Sequence, residues 1–197
     1  MKSNIRIAEV VAASTAEFIA QCYKLHQAPP LGSLVKTADM PIEIYGVVCN
    51  AETHGIEPGR RPIARGEGEE TEDDLFRNHP QLAKLLCTDF TALVVGHKEG
   101  DTINHYLPPR PARIHSFVCL CSPDEVRQFT QSLDFLHLLL GARMPGSADE
   151  VIAACLRCAS HAHPDQRSFL IQAGKTLTLS LSGEVMRLNA ILKRIRV

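Results

Sequence analysis

The sequence predicts an α+β fold in which a small N-terminal β-barrel precedes a C-terminal helical domain of about four helices. The evidence is a change of pattern along the chain. Short β-favouring runs extend to residue 120, whereas from residue 122 apolar residues recur every three or four positions. With 197 residues and 45% hydrophobic content, the chain can bury a core without metal or disulfide support. We therefore place a β domain at 1–117, with an insertion at about 50–89, and a helical domain at 122–197.

Seven β-favouring runs predict the strands of the first domain. Turn residues separate the runs, and short strands at this spacing favour a closed barrel or a sandwich. Gly46 lies inside one run and predicts a bulge or a sharp bend there. The runs cover residues 5–11, 17–23, 33–37, 42–49, 90–95, 103–107 and 114–120.

The insertion at 50–89 is a polar segment with separated charges. Arg60, Arg61 and Arg65 precede six acids between Glu67 and Asp74. Arginine binds phosphate or carboxylate partners through paired hydrogen bonds, so these three are the candidate interaction residues. The simpler alternative, which we favour from the sequence, is that they neutralise the adjacent acids. If the barrel is a docking module, this segment is its predicted contact surface.

Helix start and stop signals mark the rest of the chain. Thr71, followed by three acids, resembles a capping box and predicts a helix that Pro80 should divide. In the second half, Ser and Pro begin the predicted helices and Gly ends or interrupts them. The signals are Ser122-Pro123-Asp124-Glu125 and Gly141 for the first helix, Ser147 for the second, Pro164 for the third, and Ser182-Gly183 before the fourth.

The seven cysteines are odd in number and irregularly spaced, which disfavours a disulfide framework. Cys155, Cys158, His161 and His163 contain the ligand types of a zinc site. In a helix, however, the two cysteines share one face at packing distance, and structural zinc ligands usually come from separate elements. We therefore predict no metal here. Scattered histidines are explained as surface or hydrogen-bonded residues, namely His54, His79, His97, His105 and His115.

Sequence motifs for catalysis or nucleotide binding are not found. Gly174-Lys175-Thr176 resembles the end of a phosphate-binding loop, but Phe169 stands where that motif needs a glycine, and the tripeptide falls in a predicted helix. We therefore predict no cofactor, no nucleotide and no catalytic residue from motifs. A catalytic site assembled in space remains open, because such sites are recognised by geometry.

A net charge of −1 does not favour nucleic acid as a partner, because the chain lacks a general attraction to phosphates. No apolar run is long enough to span a membrane, and no apolar export signal begins the sequence. We therefore expect a cytoplasmic protein with reduced cysteine thiols.

Three segments of the first domain are similar to a known family. The opening strand with Glu9-Val10-Val11, the turn with Pro30-Leu31-Gly32 and the strand Ile44-Tyr45-Gly46-Val47-Val48 resemble the HAS-barrel, which HerA-type DNA translocases and rotary ATP synthase subunits share. The resemblance covers roughly residues 3–117. It implies a barrel that stabilises an assembly or offers a docking surface. A helical domain replaces the ATPase domain of those families, so no catalytic residue carries over.

The leading hypothesis from the sequence is a non-enzymatic protein that acts by self-association or by docking a protein partner. Two alternatives remain open. One is a hydrolase with an unrecognised cleft, which a convergent cluster of Asp, His or Cys in a deep pocket would favour. The other is a barrel that binds single-stranded nucleic acid, which the 5% aromatic content without Trp disfavours.

Overall fold

The computed structural model describes residues 5–39, 41–57, 59 and 61–195, and its N-terminal half is a closed antiparallel β-barrel. The strands are β1 Arg6–Ala13, β2 Glu17–Cys22, β3 Leu34–Asp39, β4 Ile42–Gly55, β5 Leu86–Glu99, β6 Thr102–Asn104 and β7 Phe117–Leu120. Six of them form a ring in the order β2-β1-β7-β3-β4-β5, which the β2–β5 pairing closes, and β6 pairs with β5 outside the ring. The predicted α+β class with an N-terminal barrel is confirmed.

The barrel interior is filled by small and branched side chains around two phenylalanine rings. Phe18 and Phe90 are almost fully buried there, together with Val35 and Val94. Gly46 gives the Phe18 ring its space, because a Cβ at position 46 would lie 2.9 Å from Phe18 Cε1. The predicted irregularity at Gly46 is confirmed, since the register between β4 and β5 shifts at this residue.

Strands β4 and β5 are longer than the sequence predicts and form a hairpin that extends past the ring. Their pairing continues from Ile42 opposite Glu99 to Gly55 opposite Leu86. Residues 50–55 and 86–89 are therefore strand, and only the rest of the insertion, 56–85, lies outside the hairpin strands. The physical reason is that turn-forming residues begin only after Gly55, so nothing stops the ladder earlier.

Seven helices lie among the described residues: α1 Glu72–Asn78, α2 Gln81–Lys84, α3 Pro123–Phe129, α4 Leu136–Gly141, α5 Ala148–Ser160, α6 Gln166–Ser180 and α7 Val185–Arg194. The predicted cap at Thr71 is confirmed, and Ser122 with Glu125 forms a complete capping box. No helix in the described ranges has both the length and the apolar character needed to traverse a bilayer.

The segment after Ser122 forms two helices where the sequence predicts one. Thr130 Oγ1 donates to the Val126 carbonyl and lies 2.8 Å from His163 Nε2. Four residues later, the Asp134 amide donates to Ser132 Oγ. The Thr130 amide makes the last helical bond, to the same Val126 carbonyl, and the next helix begins only at Leu136. The C-terminal part therefore has five helices instead of about four.

The helices pack on the outer face of β3, β4 and β5. Leu34, Val47 and Val95 point outward from the barrel and share one buried cluster with Phe135 and Ile152 of the helical part. The two parts of the chain are thus joined by a continuous apolar core.

Gly32 allows this packing at its tightest point. Its φ is +81°, and a Cβ there would lie 2.4 Å from the Ala154 carbonyl carbon and from the Cys155 nitrogen of α5. Only glycine combines this backbone conformation with so close an approach.

Candidate functional site

Two of the predicted interaction residues, Arg61 and Arg65, lie in the segment between β4 and α1. Arg61 and Arg65 are exposed, and neither forms an ion pair with another residue in the described ranges. Arg60 lies outside the described residues. Two guanidinium groups of this segment are therefore available to an external partner.

The acidic run next to these arginines finds its partners within and beside α1. Asp74 pairs with Arg77, while Glu69 lies 3.7 Å from His79 Nε2 and accepts a hydrogen bond from Asn78. The structure therefore does not bring Arg61 or Arg65 onto these acids, which was the simpler interpretation of the sequence.

Among the described residues, no helix packs on the barrel wall formed by β1, β2 and β7, and this wall carries an exposed aromatic patch. We call this patch the bare wall and define it by Arg6, Glu9, Tyr23, His115 and Phe117 on and beside β1, β2 and β7. Phe117 is 42% exposed and Tyr23 is 52% exposed. The Arg6 guanidinium lies 3.8 Å from the centroid of the Phe117 ring, which is cation–π geometry.

Glu9 organises the bare wall electrostatically. It faces Phe117 across the β1–β7 pairing, accepts a hydrogen bond from Tyr23 Oη and pairs with His115 Nδ1. Desolvation and then the Glu9 carboxylate raise the pKa of Tyr23 above its ordinary value, so the phenol stays a neutral donor. The wall thus presents the Arg6 guanidinium, the Glu9 carboxylate with its His115 partner, and two aromatic rings.

A second polar cluster lies where the β4–β5 hairpin leaves the barrel. His54 pairs directly with Cys87 across the two strands, and Asp89 is two residues from Cys87 on the same face of β5. His54 Nε2 lies 3.2 Å from Asp89 Oδ2, and Cys87 Sγ lies 3.6 Å and 3.7 Å from the two ring nitrogens. In the described part of the chain, this is the one group of three His, Cys or acidic residues close enough to share a metal ion.

Bonds to neighbouring groups fix the orientation of this cluster. His54 Nδ1 donates to the Gly55 carbonyl at 2.9 Å, and Gln21 Nε2 donates to Asp89 Oδ1 at 3.2 Å. The Gly55 carbonyl and then Asp89 raise the pKa of His54, and burial followed by Asp89 raises the pKa of Cys87.

Sequence reasoning missed this cluster because its members are 33 and 35 residues apart. From the sequence, His54 is explained as a surface or hydrogen-bonded histidine. The signal that could have found the cluster is the alternation in Cys87-Thr88-Asp89, which would place two ligand types on one face of a strand. The partner across the ladder depends on register, which local pattern does not specify.

The cysteines and histidines around Cys155 serve other contacts. Cys155 is buried on α5, and burial raises its pKa to about 12. Cys158 Sγ donates to the Leu31 carbonyl at 3.7 Å, and His163 bonds Thr130. Cys155, Cys158 and His161 line a cavity of about 270 Å³ between α5 and β3, whose described lining contains no carboxylate.

No protein-family model matches the chain, and no curated protein is significantly similar to it. Residue roles therefore have to be argued from the geometry of the chain itself.

The predicted helical placement of Gly174-Lys175-Thr176 is confirmed. All three residues lie inside α6, and Thr176 Oγ1 donates to the Gln172 carbonyl one turn earlier. A phosphate-binding loop would need free backbone amides between a strand and a helix, and helical pairing uses the amides here.

Proposed function

We propose that this chain is an assembly protein of the HAS-barrel type, which associates with a second copy of itself through the bare wall. The observation that carries the proposal is the one-sided covering of the barrel. Helices bury the outer face of β3, β4 and β5, whereas β1, β2 and β7 present Phe117 and Tyr23 to solvent. Aromatic and arginine side chains are the residue types that contribute most to protein interfaces.

Charge on the bare wall favours a copy of the same chain as the partner. A two-fold interface brings one surface patch against itself, so a patch with both signs of charge can complement itself. Arg6 and Glu9 supply the two signs, with the Phe117 ring beside both. In such a dimer, Arg6 of one copy faces Glu9 of the other across a centre of aromatic rings.

The arginine segment extends the proposed interaction surface. Arg61 and Arg65 are exposed on a segment anchored by the rigid β4–β5 hairpin. Loops on a rigid scaffold commonly carry recognition, and exposed charges there influence the rate of association and the choice of partner. We assign to these residues an effect on the rate of association, and to the bare wall the affinity between the two copies. We also propose that the protein acts in the cytoplasm.

The other two hypotheses have less support. A hydrolase would need a deep pocket lined by a convergent set of catalytic side chains. The cavity beside α5 contains Cys155, Cys158 and His161, but among the described residues no hydrogen bond joins His161 to either thiol, and no Asp or Glu lines the cavity. A nucleic-acid-binding barrel would need a row of stacking rings with basic residues. The bare wall instead places Glu9 between its two rings.

The proposal is tested by light scattering of the purified full chain during size-exclusion chromatography. We expect a dimer or a larger closed assembly. The Phe117→Asp variant should shift the mass to the monomer, because it places a charge at the centre of the apolar contact. Circular dichroism should show an unchanged fold, since Phe117 is already exposed.

A matched control is Leu179→Asp, which changes an exposed apolar residue of α6 that is 80% exposed and lies outside the bare wall. It should assemble like the unmodified chain. A monomer at every accessible concentration, or equal assembly of Phe117→Asp and the unmodified chain, contradicts the proposal.

A further inference from the structure

We propose that His54, Cys87 and Asp89 form a metal site for a divalent transition ion, with zinc as the ion that best fits the ligand set. Thiolate, imidazole and carboxylate are the three ligand types that zinc takes in proteins. The site lies near the end of β4 and the start of β5. It is independent of the assembly proposed above.

The first argument concerns which atoms of the cluster face one another. His54 Nδ1 donates to the Gly55 carbonyl, so Nε2 is the ring atom that remains for the cluster. That nitrogen lies 3.2 Å from Asp89 Oδ2. The contact is held either by a ring proton or by a metal ion, and a metal would take the place of the proton between these two atoms.

The second argument is that two of the three ligand separations are close to those of a metal site. With Zn–S of about 2.3 Å and Zn–N and Zn–O of about 2.0 to 2.1 Å, a tetrahedral ion separates S from N by about 3.5 Å and N from O by about 3.3 Å. The observed separations are 3.7 Å from Cys87 Sγ to His54 Nε2 and 3.2 Å from that nitrogen to Asp89 Oδ2, and all three ligand atoms lie within 4.8 Å of one another. Because Sγ also lies 3.6 Å from Nδ1, binding requires the Cys87 or His54 side chain to move by about an ångström or more until the sulfur faces the Nε2 lone pair, with the Cys87 thiol proton released to solvent.

The third argument is the outer shell of the cluster. Metal-bound histidines commonly donate their other ring N–H to a backbone carbonyl, and metal-bound carboxylates are themselves hydrogen-bonded. Gly55 and Gln21 provide these two bonds. Gln21 is thus a positioning residue that holds Asp89 toward the proposed ion.

The local charge also favours a cation. Glu52 lies directly opposite Asp89 in the β4–β5 ladder, and like charges in this arrangement destabilise a sheet. Among the ion pairs of the described residues, Asp89 pairs with His54 and with no Lys or Arg. A divalent ion would neutralise this excess negative charge.

A Cys–His–Asp catalytic triad does not account for the same residues. In a triad, the acid binds one ring nitrogen and the nucleophile binds the other. Here the Gly55 carbonyl occupies Nδ1, Asp89 faces Nε2, and the sulfur is almost equidistant from both nitrogens. The Cys87 and Asp89 side chains both approach the His54 ring, as ligands of one metal ion do. Three protein ligands and a half-exposed His54 leave the fourth position of the ion to water.

The test uses the full chain after chelator treatment, titrated with zinc by calorimetry and with cobalt(II) as a spectroscopic probe. We expect one ion per chain and a cobalt spectrum with thiolate charge transfer and tetrahedral d–d bands. Cys87→Ser and Asp89→Asn should each weaken zinc binding by about 100-fold or more, and Gln21→Ala by about tenfold through loss of orientation. Circular dichroism verifies that each variant is folded.

Cys158→Ser is the matched control, because it alters another partly buried cysteine outside the cluster, and it should bind zinc like the unmodified chain. The absence of zinc binding by the folded protein overturns the proposal and leaves a protonated His54 paired with Asp89. Equal zinc affinity in Cys87→Ser overturns it as well. Phe117→Asp should keep full zinc affinity, and Cys87→Ser should keep the native assembly, so each proposal fails separately.

Discussion

Lys36 Nζ lies 2.7 Å from Glu125 Oε1 and connects the barrel wall to the first helix of the C-terminal part. The same ammonium lies 3.0 Å from Glu43 on β4, and the Lys36 side chain is 10% exposed. Burial opposes ionisation of Glu125, but hydrogen bonds from Lys36 and Ser122 outweigh it and lower its pKa from 4.5 to about 2. One lysine thus links β3, β4 and the capping box of α3.

This pairing predicts a loss of stability in acid. Because the folded pKa of Glu125 is below its unfolded value, its contribution is complete above about pH 4.5 and is lost as the pH falls toward about 2. Glu125→Gln should lower the free energy of unfolding by about 1.5 to 3 kcal/mol near neutral pH. It should also flatten the pH dependence in that window, as measured by urea unfolding. The exposed neighbour Asp124→Asn serves as the control, and equal slopes for Glu125→Gln and the unmodified chain would contradict the assignment.

The contact between Gly32 and α5 predicts a severe effect of one methyl group. Gly32→Ala should cost about 3 kcal/mol or more, because the strained φ and the collision with the α5 backbone add together. Gly146→Ala isolates the first effect, since Gly146 has a φ of +87° but open space around its Cβ position. It should cost about 1 kcal/mol. Chemical denaturation measures both, and similar costs would show that α5 yields to the added methyl group.

Reversing the charge of the arginine segment should change association and leave folding intact. The triple change of Arg60, Arg61 and Arg65 to Glu should weaken assembly, while the melting temperature stays nearly constant because exposed charges contribute only about 0 to 1 kcal/mol each. Light scattering at several salt concentrations measures the effect. An unfolded variant would show that these arginines are structural.

A control with the same change of net charge separates local from global electrostatics. It converts three exposed arginines of other regions to Glu, namely Arg110, Arg143 and Arg167. This control should assemble normally. If both triple variants assemble equally well, the arginine segment has no part in association.

The double change of Cys155 and Cys158 to Ala should reduce stability without releasing metal. Cys155 is fully buried in the packed face of α5, so the small cavity should cost about 1 to 2 kcal/mol. Elemental analysis of the native protein and the variant should give equal zinc contents. Zinc that disappears in this variant and persists in Cys87→Ser would assign the metal to α5 instead.

The features that the sequence predicted are those with a local cause. The alternating residues of β1 and β2, the capping box at Ser122 and the division at Pro80 each depend on neighbours a few positions away. The apolar spacing would continue the first helix past Thr130, but in the structure the helix ends there, where the Thr130 hydroxyl contacts His163. His163 is 33 residues away in the chain, so this contact could not be predicted from the local pattern.

The candidate sites depended on tertiary structure to a greater degree. The exposure of Arg61 and Arg65 follows from their composition and was predictable. The bare wall required knowledge of which barrel face the helices cover, since Phe117 and Leu34 both appear as apolar strand residues in the sequence. His54, Cys87 and Asp89 meet only in one β4–β5 register, and a shift by one residue would turn Cys87 away from His54.

The position of β7 between β1 and β3 has a consequence for the order of folding. As the chain leaves the ribosome, β1 to β5 can pair, but β1 and β3 keep one open edge each until Phe117–Leu120 has emerged. Unpaired edges are templates for pairing with other chains, so the nascent protein passes through an aggregation-prone stage that ends only when this four-residue strand is inserted. Two residues later, the capping box at Ser122 begins α3, so closure of the barrel and growth of the helical part take place almost together in synthesis.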